Sequence, residues 1–244
     1  MKLNALIGGI AALFIAQAAV AGEAEVRKAV EPVLADLFGP GVKPDAVRKL
    51  GSLGLYEVLI AGDLLYTDEK VSFLVNGDIL DVKAKKNLTE ERKQQLSQIK
   101  FSDLPLDLAV KQVKGNGKRV IATFEDPNCS YCKKLAKEFQ TLNDVTIYTF
   151  VYPIFPNSGE ITKNLWCAQD RAKAWTELMV DGKQPAAAQA KCDTAGIDKV
   201  VALGRKLNIR GTPALFFADG SRVPGYMPAA VLEKGLDKGS APSR

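Results

Sequence analysis

The chain has 244 residues, with 33 lysines and arginines against 28 aspartates and glutamates and no histidine. This length allows one large domain or two small ones, and the mild net charge of +5, with no basic stripe, argues against a nucleic-acid-binding protein. The lack of histidine excludes a Ser-His-Asp triad, a Cys-His protease dyad and any metal site built from histidine ligands.

The first 21 residues have the parts of a secretory signal peptide. Lys2 supplies a positive charge, residues 5–16 form a short apolar core, and Ala19-Val20-Ala21 is a small-x-small cleavage sequence. The alternative is an uncleaved membrane anchor, but the apolar run is shorter than the roughly 20 residues that cross a bilayer, and Gln17 interrupts it. We therefore predict cleavage after Ala21 and export to an oxidising compartment, where disulfides persist.

Residues 22–86 have the pattern of a small α+β domain that begins with a helix over residues 25–38. Pro32 inside this helix predicts a kink or a late start. The helix is predicted from the spacing of four apolar side chains: Val26, Val30, Val33 and Leu37.

An antiparallel sheet is predicted to follow this helix. Asn76-Gly77 predicts a hairpin turn, because both residues tolerate positive φ, and Asp78–Lys83 would complete the hairpin. A domain of this size buries a limited core, which favours association through a sheet edge. The predicted strands before the turn are Leu55–Ala61, Leu64–Thr67 and Val71–Val75.

Residues 87–106 are predicted to form a linker that contains a mostly polar helix. Asn87 caps the start of the helix, and Glu90 stands three positions later, as in a capping box. A helix with few apolar positions is typical of an exposed connection between two folded segments.

Residues 107–240 are predicted to form a second domain, in the order strand, helix, strand, helical block, hairpin and helix. This order matches a split βαβ plus ββα arrangement around a mixed sheet. The predicted elements are Arg119–Phe124, Cys132–Leu142, Val145–Val151, the helical stretches Ile161–Val180 and Pro185–Leu207, Thr212–Ala218, Ser221–Gly225 and Pro228–Leu236.

Cys129 and Cys132 lie where a predicted strand passes into a predicted helix. A thiol at a helix N-terminus loses its proton more easily, and the thiolate is the nucleophile of disulfide exchange. Cys132, one helical turn further, can attack a mixed disulfide on Cys129 and release the substrate. We interpret the pair as redox-active, against the alternatives of a structural disulfide and a metal site, and we predict neither a metal nor a cofactor.

The dipeptide Ser130-Tyr131 adjusts the redox properties of this pair. Ser130 can donate its N–H or hydroxyl to the Cys129 sulfur, and Tyr131 offers an aromatic surface unless it only packs. Resolution by Cys132 needs a proton acceptor, for which Glu125 and Asp126 are the nearest acids in sequence. Either can act through water, and the alternative is a solvated loop.

Two further features lie downstream. A bridge between Cys167 and Cys192 would close a loop of about 25 residues, worth roughly 3 kcal/mol, and the alternative is a second redox centre. Thr212-Pro213 opens a predicted strand, and downstream of a Cys-x-x-Cys pair it favours a cis bond. The backbone of Thr212 would then be free to pair with an extended substrate.

Taken together, these features resemble the DsbC/DsbG family of the thioredoxin superfamily, and within it the DsbC branch. The resemblance extends over nearly the whole chain after Ala21, and the combination of the last two segments is specific to this branch. It is carried by the α+β domain, the linker helix, Phe124-x-Asp126-x-x-Cys129-x-Tyr131-Cys132, the pair Cys167 and Cys192, Gly211-Thr212-Pro213 and Val223-Pro224-Gly225-Tyr226.

The resemblance implies a cystatin-like N-terminal dimerisation domain and a thioredoxin-like catalytic domain with a helical insertion. It implies a periplasmic homodimer in which two catalytic domains face a shared, uncharged or apolar cleft that holds misfolded exported proteins with wrong disulfides. Cys129 would attack these disulfides, Cys132 would resolve the mixed disulfide, and a membrane reductase of the DsbD type would keep both thiols reduced.

The chain departs from the family pattern at two positions beside the nucleophile. Ser130 replaces the glycine or proline of relatives, and Lys133 stands where histidine is common. These changes leave open the balance between isomerase and reductase activity. Two alternatives remain: a DsbG-like chaperone that reduces sulfenic acids on selected partners, and an oxidase, against which the missing histidine argues.

Overall fold

The computed structural model describes residues 10–239, and for residues 10–21 and Ser52 it describes the backbone alone. The predicted signal peptide, residues 1–21, therefore lies outside the residues whose side chains are described. The chain divides between Leu96 and Ser97 into two compact units. Within the described residues, no helix combines the length and the apolar character needed to span a membrane.

The first unit contains a helix packed on a three-stranded antiparallel sheet. Helix α1 spans Ile10–Phe38 and continues through Pro32 without a break. Val26, Val30 and Leu34 are fully buried because a spacing of four residues places them on one face of the helix. The predicted helix and antiparallel sheet are confirmed, but Leu34 takes the place of Val33 in the core and Leu37 is exposed. The strands, in sheet order, are β1 (Ala46–Lys49), β2 (Tyr56–Ile60) and β3 (Asp63–Thr67).

The predicted hairpin at Asn76-Gly77 is wrong. Of the predicted strand Val71–Val75 only Val75 pairs, through an isolated bridge to Tyr66. Strand β4 (Leu80–Asp81) instead pairs with β5 (Lys86–Asn87). The apolar residues that suggested two paired strands have no core to cover them, and so they lie on the surface: Phe73, Val75, Leu80 and Val82.

Helix α2 spans Leu88–Ser97, and polar side chains join it to the sheet of the first unit. The Asn87 side chain accepts a hydrogen bond from the N–H of Glu90 at 3.0 Å, as expected of a cap. Thr89 is buried and its hydroxyl bonds that of Tyr66 at 2.6 Å. Arg92 donates to the buried carboxylate of Glu57 at 3.0 Å. The polar character of α2 therefore reflects specific polar contacts with the sheet as well as exposure.

The second unit has a five-stranded sheet with the order β10-β9-β7-β8-β6. The central strands β7 and β8 run parallel, and the other pairs are antiparallel. This is the mixed sheet that the sequence predicts. Its elements are β6 (Val110–Lys114), β7 (Arg119–Glu125), α3 (Ser130–Thr141), β8 (Val145–Val151), α4 (Ser158–Trp166), α5 (Arg171–Asp181), α6 (Ala195–Lys206), β9 (Ala214–Phe217), β10 (Arg222–Pro224) and α7 (Ala229–Gly239).

Alternation along β7 supplies apolar side chains to two cores, one on each face of the sheet. Ile121 belongs to the core formed with α3 and α7, whereas Ala122 and Phe124 belong to the core formed with α6. A third cluster, which contains Cys129 and Cys132, packs α3 against α4 and α5. The helices after β8 therefore cover the start of α3, where the candidate site lies.

The structure corrects the sequence prediction at two places in this unit. Strand β6 was not predicted, because its Val-Lys-Gln-Val sequence shows little periodicity at a sheet edge. The helical stretch predicted over Pro185–Leu207 begins only at Ala195. Pro185 lacks the N–H that a helix interior needs, and Cys192 is held by a disulfide.

Candidate active site

The site is centred on Cys129, which is the N-cap residue of α3. Its side chain is 5% exposed, and Cys132, one turn along the same helix, is completely buried. Both are free thiols in this structure. Cys129 stands at the positive end of the α3 helix dipole, and its side chain makes no cap hydrogen bond to the first turn. Cys129, slightly exposed at the helix terminus, is therefore the sulfur placed to attack, and Cys132 is its fully buried partner.

The thiol of Cys132 is held in its protonated form. Burial raises its pKa, and the nearby charges of Glu125 and Cys129 raise the pKa further. Cys132 is consequently a poor nucleophile until a base removes its proton. The second sulfur of the pair can act only late in an exchange reaction.

Glu125 is a buried carboxyl group at the end of β7, interacting electrostatically with both cysteines. Burial raises the pKa of Glu125 to about 8, the Thr123 hydroxyl lowers the pKa by less, and the charge of Cys129 raises it. Among the described residues, neither carboxyl oxygen has a hydrogen-bond partner of ordinary geometry. A group whose pKa lies near neutrality is suited to exchange protons with Cys132.

Asp126 is also buried, but its oxygens are fully occupied. Oδ1 accepts from the N–H of Asn128 at 2.7 Å and from the hydroxyl of Ser158 at 2.6 Å. Oδ2 accepts from the N–H groups of Ile154 and Phe155 at 2.6 and 2.9 Å. Asp126 therefore fastens the turn before Cys129 to the loop before α4. The alternative of a solvated loop at these two acids is wrong, because both are completely buried.

The segment Thr212-Pro213 lies opposite Cys129 and contains a cis peptide bond. The Cys129 thiol donates to the carbonyl oxygen of Thr212 at 3.3 Å. The Pro213 carbonyl accepts from the N–H of Gly225 at 2.8 Å, and Gly225 has a φ of +111° that favours glycine. The structure thus brings the two predicted halves of the site together across 83 residues of sequence.

The dipeptide Ser130-Tyr131 forms the exposed start of α3. The Tyr131 ring is 60% exposed, and its centroid is 6.4 Å from that of Tyr226. The Cys129 sulfur bonds Thr212 rather than Ser130. The ring of Tyr226 and its partner Glu138 were not predicted as site residues, although Tyr226 belongs to the motif that carried the resemblance.

Cys167 and Cys192 are joined by a disulfide with a Cα–Cα distance of 6.0 Å. The bridge connects the end of α4 to the segment before α6. Among the described residues, no group of three or more histidine, cysteine, aspartate or glutamate side chains is placed to hold a metal ion.

Comparison with known proteins places both units in one family. The Disulfide bond isomerase protein N-terminal domain family matches residues 17–90, and the Thioredoxin-like domain family matches residues 106–240. The chain is 49% identical to the probable thiol:disulfide interchange protein DsbC of Bordetella pertussis, over 80% of this chain and 69% of that protein. It is 31% identical to the thiol:disulfide interchange protein DsbC of Escherichia coli, over 93% of this chain and 94% of that protein.

A solved structure agrees with this assignment. The crystal structure of a disulfide interchange protein from Neisseria gonorrhoeae is 41% identical, with a TM-score of 0.54, and covers 56% of this chain and 99% of that one. The matches span both units and agree with the Cys-x-x-Cys pair at the start of α3. The chain therefore belongs to the DsbC family of thiol:disulfide interchange proteins and is a thiol–disulfide oxidoreductase.

Proposed function

We propose that this protein rearranges or reduces wrong disulfides in exported proteins, with Cys129 as the nucleophile and Cys132 as the resolving thiol. One observation carries the proposal: the Cys129 sulfur sits at the start of α3 against the Thr212 carbonyl, while Cys132 is buried behind it with a raised pKa. With this arrangement Cys129 reacts first, with the substrate, and Cys132 reacts afterwards, with the mixed disulfide.

In the first step, the Cys129 thiolate attacks one sulfur of a substrate disulfide. A new S–S bond joins Cys129 to the substrate, the substrate S–S bond breaks, and the released sulfur leaves as a thiolate. The Thr212-Pro213 segment orients the substrate. No hydrogen bond within the described residues uses the Thr212 N–H, which leaves it open to the backbone of an extended chain.

The mixed disulfide then has two outcomes. In isomerisation, the released substrate thiolate first attacks another substrate disulfide and frees a different substrate thiolate. That thiolate attacks the substrate sulfur of the mixed disulfide, so a new substrate disulfide forms and Cys129 leaves as a thiolate. In reduction, Cys132 loses its proton to Glu125 and attacks the Cys129 sulfur, which leaves a Cys129–Cys132 disulfide and a reduced substrate. Glu125 is suited to this step because its raised pKa of about 8 makes its carboxylate a stronger base than an ordinary glutamate, and part of it is ionised near neutral pH.

After reduction of a substrate, the protein needs two electrons to act again. We infer that a membrane reductase of the DsbD type supplies them by exchange with the Cys129–Cys132 disulfide. The signal peptide, cleavage after Ala21 and a periplasmic location complete this proposal. The division into residues 22–86, 87–106 and 107–240 remains a prediction.

The first unit supports a homodimer. The segment that contains Phe73 and Val75 lies beside β3, the edge strand of the sheet, and both side chains are 45% exposed. Val82, on the same stretch of chain, is 83% exposed. Exposed apolar side chains beside the edge strand of a sheet are typical of an interface between copies of one chain. The C-terminal catalytic units would then be present in pairs.

Replacing Phe73 with glutamate is expected to prevent this association. A pair of like charges at a two-fold interface costs several kcal/mol, so the dimer dissociation constant should rise by at least about 100-fold. Sedimentation equilibrium should give twice the chain mass for the wild type and a single chain mass for the variant. Val113→Glu, a matched exposed position in the second unit, should remain dimeric. A monomeric wild type would contradict the proposed homodimer, and a dimeric Phe73→Glu variant would contradict the proposed interface.

Reactivation of scrambled ribonuclease A tests the proposed function. The reduced wild-type protein is expected to restore ribonuclease activity, because Cys129 can open wrong disulfides until the native set forms. Suppression of aggregation without reactivation would instead indicate a DsbG-like binding protein. Rapid oxidation of reduced, unfolded ribonuclease by the disulfide form, with no reactivation of the scrambled form, would indicate an oxidase.

A further inference from the structure

The rings of Tyr131 and Tyr226 lie near the nucleophile, and neither ring has a role in the exchange chemistry proposed above. Tyr131 follows Cys129 by two residues, and 60% of its surface is exposed although the cysteines on either side of it are buried. Its ring centroid is 6.4 Å from that of Tyr226, with an angle of 41° between the planes. This separation is within the range of interacting aromatic pairs, and it leaves apolar surface available to a third group.

The Tyr226 ring is held in place from two directions. Its hydroxyl donates to Glu138 Oε1 at 2.5 Å, and the Lys134 ammonium lies 4.3 Å from the ring centroid. Glu138 Oε2 also accepts from the N–H of Ala229, the first residue of α7, at 2.9 Å. The Tyr226 and Ala229 bonds lower the pKa of Glu138, so the carboxylate stays charged at neutral pH.

These contacts connect the rings to the segment that meets the substrate. Gly225, the residue before Tyr226, donates to the Pro213 carbonyl at 2.8 Å, and the neighbouring Thr212 carbonyl accepts from the Cys129 thiol. A closed series of contacts therefore runs from Cys129 through Thr212-Pro213 and Gly225-Tyr226 to Glu138, and back along α3. A polypeptide that reacts with Cys129 and pairs with Thr212 would pass next to both rings.

We propose that Tyr131 and Tyr226 form a two-ring surface that binds an apolar side chain of the substrate polypeptide next to its oxidised cysteine. Glu138 is the positioning residue that fixes Tyr226 in this surface. The inference rests on the proposed function and deepens it, because it assigns a preference among disulfides: those flanked by apolar residues, which are buried in native proteins and exposed in misfolded ones, are attacked first.

The test compares single-turnover reduction of three disulfides by the fully reduced protein. Two are peptide disulfides that differ only in leucine or serine before the cysteine, and the third is glutathione disulfide. The wild type is expected to react about two- to tenfold faster at low concentration with the leucine peptide than with the serine peptide. Tyr131→Ala and Tyr226→Ala should lose this preference, so that the ratio of the two peptide rates, each divided by the same variant's rate with glutathione disulfide, falls to about one.

Variants of Glu138 separate positioning from general stability. Glu138→Ala should lose part of the preference, whereas Glu138→Gln should retain most of it because the amide oxygen still accepts a hydrogen bond. Tyr226→Phe, which keeps the ring but removes the bond to Glu138, should behave like Glu138→Ala. Val113→Ala removes an exposed apolar side chain on β6 and should leave all three rates unchanged.

The outcomes distinguish this inference from the function on which it rests. A wild-type protein that reduces none of the three disulfides would contradict the proposed function itself. Equal rates with both peptides, or an unchanged preference in Tyr131→Ala and Tyr226→Ala, would overturn only the two-ring surface and show that the rings merely pack against each other. Far-UV circular dichroism of each variant establishes that it is folded.

Discussion

Replacing Cys129 with alanine is expected to abolish both ribonuclease reactivation and peptide disulfide reduction, a loss of at least about 10³-fold. Cys132 cannot take over the attack, because it is completely buried and burial raises its pKa. Rates should be measured with fully reduced protein at neutral pH. Retained activity in Cys129→Ala would assign the nucleophile to Cys132 and reverse the mechanism.

Cys132→Ala provides the matched control, because it removes the other sulfur of the same pair. This variant should still attack the substrate but should not resolve the mixed disulfide by itself. Mass spectrometry under non-reducing conditions should then detect the protein covalently joined to the substrate peptide. The wild type should show this species only transiently.

Replacing Glu125 with glutamine is expected to slow resolution at neutral pH by at least about tenfold, since the buried thiol of Cys132 loses its proton acceptor. The first attack by Cys129 should change much less. Rapid acid quenching followed by mass spectrometry measures the two steps separately. Equal decay of the mixed disulfide in wild type and Glu125→Gln would show that another base, or water, takes the proton.

The same substitution should change how stability depends on pH. Burial raises the pKa of Glu125 from 4.5 to about 8, so the reduced folded chain binds a proton that the unfolded chain releases between these values. The stability contributed by this proton is fully present below pH 4.5 and is lost as the pH rises towards 8, by at most about 1.4 kcal/mol per pH unit. Denaturant unfolding across this range should show that Glu125→Gln lacks this loss, whereas Glu233→Gln, at a partly exposed carboxylate, retains it.

The second unit was predicted well where local pattern and tertiary packing agree. The predicted strand Val145–Val151 has the bounds of β8, and α3 begins within two residues of its predicted start. Both segments carry strong apolar periodicity and face a core. In the first unit, the Asn76-Gly77 signal was misleading because a turn sequence forms a hairpin only if both flanking strands find partners, and Phe73 and Leu80 remain on the surface.

The candidate site shows the same division. Cys129 and Cys132 were found because their chemistry and their spacing lie in one short segment. The hydrogen bond from Tyr226 to Glu138 joins residues 88 positions apart, and no local sequence pattern predicts it. The burial of Glu125 likewise depends on helices that come later in the chain. The sequence could therefore place Glu125 near the cysteines, but it could not show that its carboxyl group is shielded from water.

The buried state of Cys132 has an electrochemical consequence. Because its pKa is raised, reduction of the Cys129–Cys132 disulfide delivers a proton to Cys132 together with the electrons. Each proton coupled to a two-electron couple shifts its midpoint potential by about 30 mV per pH unit. The dithiol therefore holds its electrons more tightly in acid than in alkali, and because the pKa is raised this dependence continues at pH values where an ordinary cysteine has already lost its proton.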